Sequence, residues 1–146
     1  MKIEGSQSLA LAPAEVFQLL IDPNVLQAAI PGCERMERVG DDEYNAHLKI
    51  GAGMVKGTYV GKVRITERDA PRKLTLRIEG KGAPGFMNGS AVVELAEEGQ
   101  GTKLVYRAEA KVGGLIAMVG SRMIEATAKK IASEFFENIN SQAKKL

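Results

Sequence analysis

The sequence predicts an α+β fold: a curved antiparallel sheet of about seven strands wrapped around one long C-terminal helix, with two short helices after the first strand. Three observations predict it. Residues 34–112 alternate apolar and polar side chains in consecutive runs joined by short turns, which is the pattern of an antiparallel meander. One long stretch with helical apolar spacing follows Gly113-Gly114. A further alternating run, 2–11, precedes two segments opened by Pro13 and Pro23, and proline is well placed in the first turn of a helix. A single domain over 1–146 is the economical arrangement of these parts.

Taken in order, the first run sets Ile3, Gly5, Gln7, Leu9 and Leu11 against Lys2, Glu4, Ser6 and Ser8, and reads as a strand. A short helix follows Pro13, with Val16, Phe17, Leu19 and Leu20 on its apolar face. Asp22-Pro23 ends it, and a second short helix covers 24–30 before Pro31-Gly32. The meander strands are expected at 34–39, 43–51, 54–67, 73–82, 86–96 and 102–112. The glycine-rich strands invite bulges. The last helix should reach about Ala143 unbroken. Its stripe of Ile116, Gly120, Met123, Thr127, Ile131, Phe135 and Ile139 would face the sheet.

Composition excludes several classes. An apolar fraction of 45% and a charged fraction of 26% are ordinary for a globular domain. A net charge of +2 leaves no nucleic-acid footprint. One cysteine (Cys33) and one histidine (His47) cannot build a Cys/His zinc site or an internal disulfide. No signal region opens the chain and no run approaches the ~20 apolar residues of a membrane span, so a cytoplasmic location is expected. Phosphate-binding loops, paired-histidine motifs and nucleophile elbows are all missing. Gly80-Lys81-Gly82 with Gly85 mimics a dinucleotide loop in spacing, but it joins two strands. No catalytic residue is assigned, no metal is expected, and the chain is not expected to be an enzyme.

Strand parity identifies the inner face, because alternate residues point to opposite sides. Across five strands this register holds no Asp, Glu, Lys, Arg or His. It carries Tyr44, Leu48, Tyr59, Ile78, Met87 and Tyr106, and it turns small at Gly61, Gly80, Gly89, Ala91, Ala108 and Ala110. With Ile116, Gly120, Met123 and Thr127 from the helix, these residues are the expected lining of an apolar ligand cavity. Two readings of the glycines stay open: they let the sheet curl, or they leave room for a guest. The three phenols either bond to backbone and water or meet a ligand carbonyl or hydroxyl.

A meander sends its turns alternately to two ends. One end receives the charged turns 40–42, 68–72 and 97–101. The other receives Pro31, Gly32, Cys33, Gly53, Met54, Pro84, Phe86, Gly113 and Gly114, an apolar rim expected to form the cavity mouth.

Several segments together resemble the CoxG family, the G-type accessory proteins of carbon monoxide dehydrogenase. They are Asp22-Pro23, Ile30-Pro31-Gly32-Cys33-Glu34, Gly85-Phe86-Met87-Asn88-Gly89-Ser90-Ala91, Gly101-Thr102-Lys103-Leu104-Val105-Tyr106, and Val112-Gly113-Gly114-Leu115-Ile116-Ala117 through Gly120-Ser121-Arg122 to Phe135-Phe136. The resemblance covers nearly the whole chain. It implies a START-like helix-grip domain and an accessory protein of molybdenum-containing dehydrogenases. The roles it implies are maturation or membrane recruitment of the enzyme, and binding of a quinone or lipid in an apolar cavity for electron delivery. Many relatives carry a C-terminal membrane tether; the sequence here ends at Leu146, so recruitment to the inner membrane face is expected to be peripheral. Two rival functions remain: an assembly factor acting by protein contact without ligand, and a cyclase- or hydrolase-type enzyme on the same fold.

Overall fold

The computed structural model describes residues 1–51 and 56–144. The strands are β1 (Lys2–Leu9), β2 (Cys33–Gly40), β3 (Glu43–Ile50), β4 (Gly57–Asp69), β5 (Lys73–Gly82), β6 (Gly85–Glu98) and β7 (Gly101–Gly113). The helices are α1 (Pro13–Leu20), α2 (Pro23–Ala29) and α3 (Ser121–Lys144). All seven strands form one antiparallel sheet in the order β1-β7-β6-β5-β4-β3-β2. Each meander strand therefore pairs with its sequence neighbour, and β1 crosses to the far edge to pair with β7.

The front of the chain folds as its proline punctuation requires. Pro13 and Pro23 occupy the first turns of α1 and α2, and the Asp22 carboxylate accepts the Asn24 N–H at 2.9 Å as an N-cap. Both helices close one end of the sheet, where Val16, Phe17 and Ala29 join Leu9, Leu74, Leu95 and Leu104 in the core. Three polar contacts tie this end together. Thr102, fully buried, donates to the Leu11 carbonyl at 2.6 Å, Asn138 donates to the Ala29 carbonyl at 2.9 Å, and Asn140 accepts the Ala10 N–H at 2.9 Å.

Two expectations change. Bulges interrupt the register at Cys33/Arg35, Arg38/Gly40 and Ile65/Glu67, whereas the glycine pair Gly61↔Gly80 keeps regular pairing. The irregularities thus lie at the edge strand and near the charged turns, where few side chains constrain the ladder. The helix is not continuous from Leu115. Residues Gly114–Val119 form a 3-10 helix, and Gly120, at φ +98°, separates it from α3. Helical phase restarts at Ser121, so Met123 turns outward, 54% exposed, and Phe136 joins Ile139 in the core. The predicted start of β4 at residue 54 lies outside the described residues.

Candidate ligand-binding site

Inward side chains form layers across the sheet, and the layers differ in how fully they are packed. Toward the charged turns, Leu95 pairs with Leu104 and Leu74 with Val93, and all four are buried in one cluster with Phe136 and Ile139 of α3. Farther along the strands the layers turn small. Ala91 stands between Leu76 and Ala108, Gly89 between Ile78 and Ala110, and Gly80 between Gly61 and Met87. These residues face the same side of the sheet as the core, yet all except Gly61 are only half-buried. Leu48 pairs with the buried Tyr59 and is half-buried too. Half of the concave face is therefore filled and half retains contact with solvent.

The glycines divide between the two readings. A Cβ at Gly80 would meet no atom within 4 Å, and at Gly61 it would meet only ordinary contacts, the nearest at 3.7 Å. By contrast, a Cβ at Gly89 would strike the Glu109 carbonyl and come within 2.9 Å of the Ala110 methyl. At Gly82 it would come within 2.9 Å of the Tyr59 ring, and at Gly57 within 2.7 Å of Pro84. Gly61 and Gly80 border open space, while Gly57, Gly82 and Gly89 permit close packing. Gly120 also borders open space, but as an exposed hinge ahead of α3 and not as a notch within the helix.

The three tyrosines divide similarly. Tyr44 is buried and its hydroxyl donates to the Ile21 carbonyl at 2.8 Å, so it is a structural strut. Tyr59 is buried, with its ring against Gly82. Tyr106 lays its ring across Gly5 of β1 and faces Phe136 at 5.4 Å. Burial pushes all three phenols above their usual pKa. At Tyr44 the Arg38 and Arg68 guanidiniums oppose that rise, and the Asp42 and Asp22 carboxylates add to it.

At the expected mouth, Phe86 lies in the outward register and is 46% exposed, its ring against Gly113. The Pro84 carbonyl accepts the Ile116 N–H at 2.8 Å, which pins the buried Ile116 under the β5–β6 turn. Gly32 and Gly114 take positive φ, +77° and +79°. Gly32 must be glycine twice over, since a Cβ there would hit the Lys49 carbonyl. Pro31 is half-buried. Leu115 and Met118, 69% and 82% exposed, extend the apolar rim. Cys33 is half-buried, and its thiol contacts the Arg35 carbonyl at 3.4 Å; burial raises its pKa and that hydrogen bond lowers it. Gly53 and Met54 lie outside the described residues. The opposite end is ionic, with Arg68–Asp42 at 2.6 Å and Arg72–Asp69 at 3.2 Å.

Thr127 faces the half-filled region from α3, but its hydroxyl donates back to the Met123 carbonyl at 2.9 Å. Ile124, Ala128 and Ile131, also half-buried, share that stretch of helix. Ile124 and Ala128 escaped the sequence reading because its helical phase assumed no break at Gly120. Gln7 escaped as a site residue although its parity was plain: it points inward from β1, paired with the fully buried Leu104. Among the described residues, the inward register of β3–β7 carries no Asp, Glu, Lys, Arg or His, and α3 contributes half-buried Glu125 and Glu134.

Two surface depressions accompany this arrangement. One, of about 290 Å³, lies over β3–β5 among Glu43, Tyr44, Asn45, Lys62, Arg64, Arg77 and Glu79. The other, about 570 Å³, follows the seam between β1 and the start of α3 and is bordered by Lys2, Ile3, Glu4, Arg122, Glu125, Ala126 and Lys129. Of the expected lining residues only Tyr44 borders either one. No helix among the described residues is long and apolar enough to cross a membrane.

The backbone is similar to that of a conserved protein from Geobacillus kaustophilus, with a TM-score of 0.95 and 36% identity over 99% of this chain and 96% of that one. A START superfamily protein from Mycobacterium smegmatis superposes with a TM-score of 0.78 at 8% identity, covering 99% and 97% of the two chains. A protein from Chromobacterium violaceum does so at 0.74 and 14% identity, over 96% and 95%. These last two likenesses show the START-like fold. No curated protein matches the chain. The model of the carbon monoxide dehydrogenase CoxG family matches residues 5–144, and the chain belongs to that family.

Proposed function

We propose that this protein is a non-catalytic accessory protein that binds a hydrophobic small molecule, a quinone or another lipid, between the concave sheet and α3. The observation that carries the reading is the row of inward-facing small residues, Ala91, Gly89, Ala110 and Gly80, which keep solvent contact on the core side of the sheet. A face without ionisable groups favours an apolar guest through burial of its surface, at about 25 cal/mol per Å². It supplies no group for acid–base or nucleophilic work beyond phenols held in their neutral form. The family to which the chain belongs suggests the context: support of a molybdenum-containing dehydrogenase, by electron hand-off through the bound quinone or by peripheral recruitment to a membrane. No covalently held cofactor enters this scheme.

Native mass spectrometry of the purified protein, with organic extraction and identification of what is released, tests the proposal. A one-to-one complex with a quinone or lipid is expected. Protein that carries nothing and takes up neither a quinone nor a fatty acid in titration defeats it.

The exposed rim of Phe86, Leu115, Met118 and Met123 favours a second reading, in which the protein docks on a partner enzyme through this end. Phe86→Asp separates the two. It abolishes co-purification of the dehydrogenase if the rim is the contact, while extraction still yields ligand. Co-purification that survives the substitution removes the rim from the interface.

A further inference from the structure

Tyr106 stands at the boundary between the two halves of the concave face. In its own cross-strand row Val93 and Leu74 are buried, and one row farther Ala108 and Ala91 begin the small, half-open layers. Its ring is held on two sides, by Gly5 beneath it and by Phe136 of α3 at 5.4 Å. Gly5 is paired with Tyr106 and is half-buried; any larger residue there would collide with the phenol. The position is thus shaped to hold this ring in one orientation.

Its hydroxyl nevertheless has no hydrogen-bond partner among the described residues, whereas the Tyr44 hydroxyl is taken by Ile21 and Tyr59 has an interaction of its own. Two residues from Gly5 along β1, on the same face, the Gln7 amide likewise makes no hydrogen bond among the described residues. A phenol and a primary amide are the two polar groups that β1 and β7 present inward next to the small layers. Polar groups in such places normally find partners.

We infer that Tyr106 and Gln7 form a polar foothold at the floor of the chamber, which takes the hydrogen-bond-accepting head of an otherwise apolar ligand. The inference rests on the proposed ligand chamber and adds an orientation to it: head against Tyr106, tail toward the Phe86 end. Lengths agree with this. Six residues separate Tyr106 from Val112, a run of roughly 20 Å in a strand, and the fifteen residues from Ser121 to Phe136 rise roughly 22 Å along the helix. A bicyclic head with part of an isoprenoid tail fits such a span.

The test compares two probes of nearly equal shape, 2-methyl-1,4-naphthoquinone and 2-methylnaphthalene, titrated into the full chain and followed by methyl and amide NMR shifts. Wild type is expected to bind the quinone at least five-fold tighter than the hydrocarbon, as one or two net hydrogen bonds imply at about 1 kcal/mol each. Tyr106→Phe should erase most of that preference and leave hydrocarbon affinity unchanged, and Gln7→Leu should reduce it. Ring protons of the bound quinone should show contacts to the Ala108 and Ala91 methyls. Equal affinity for the two probes, or a preference untouched by Tyr106→Phe, overturns the foothold while leaving the chamber intact. Contacts confined to Met118 and Phe86 overturn the head-down orientation. Failure of both probes to bind brings down the chamber and the foothold together.

Discussion

Gly80 and Gly89 show how the same residue type serves opposite ends. Both are inward-facing glycines in central strands, separated by two ladder positions. Around Gly80 there is nothing for a side chain to meet; around Gly89 the neighbouring strand's carbonyl and the Ala110 methyl occupy the space. Gly80→Val should therefore hold or raise stability, since a β-branched side chain suits a strand, and should lower ligand occupancy by filling the chamber. Gly89→Ala should cost ~1–3 kcal/mol through overpacking. Urea denaturation and ligand extraction on the two variants, run in parallel, check both halves of this statement. The sequence alone could not separate the two glycines. Parity told that each faces inward, but what stands opposite each is decided by twist and by the neighbouring strand's path. The phenols behaved likewise: three tyrosines of equal parity proved to be one strut at Tyr44, one buried ring at Tyr59 and one free hydroxyl at Tyr106.

Among the elements, the strands were legible and the approach to the last helix was not. Alternation from Tyr44 to Val112 placed β3–β7 within a few residues of their observed limits, because a sheet with one polar face imposes a strict period of two. Ile116, Met123 and Thr127 have helical spacing, so a glycine between them reads as a tolerated interruption. The backbone at Gly120, φ +98° and ψ +144°, instead breaks the helix outright. That region is open to glycine and strained for other residues. Gly120→Ala is expected to destabilise the protein by ~1–3 kcal/mol, although no side chain lies within 4 Å of the added methyl. A loss of under about 0.5 kcal/mol in chemical denaturation, the range of an unstrained surface substitution, would mean that the junction relaxes into a continuous helix, which a shift in the amide NMR signals of 114–124 would reveal.

For the whole molecule, the fold class and its family followed from the order of elements, and the distribution of packing did not. The pairing of β1 with β7 brings the first strand beside the last, so that both contribute to the seam over which α3 lies. Three strands each carry an inward tyrosine whose pKa is raised in the folded state. An unfolded phenol loses its proton near pH 10, before its folded counterpart does. The stabilisation from these groups is then complete below about pH 10 and is lost as pH climbs through the folded values. Stability should be level in this respect from about pH 7 to 9 and fall above about pH 10. Tyr44→Phe, besides lowering stability at neutral pH by freeing the Ile21 carbonyl, should make that alkaline fall shallower. Thermal melts across the range measure both effects, and an unchanged slope would rule out Tyr44 as a contributor.

The uneven packing of the concave face has a consequence for how such a domain changes over generations. Cohesion comes from the greasy end, where Leu104, Phe17 and Ile139 interlock, so substitutions among Gly61, Gly80, Ala91 and Ala108 can reshape the vacancy without loosening the scaffold. Cargo preference is thereby uncoupled from foldability, and one architecture can be re-tailored to new passengers by small steps at a handful of positions.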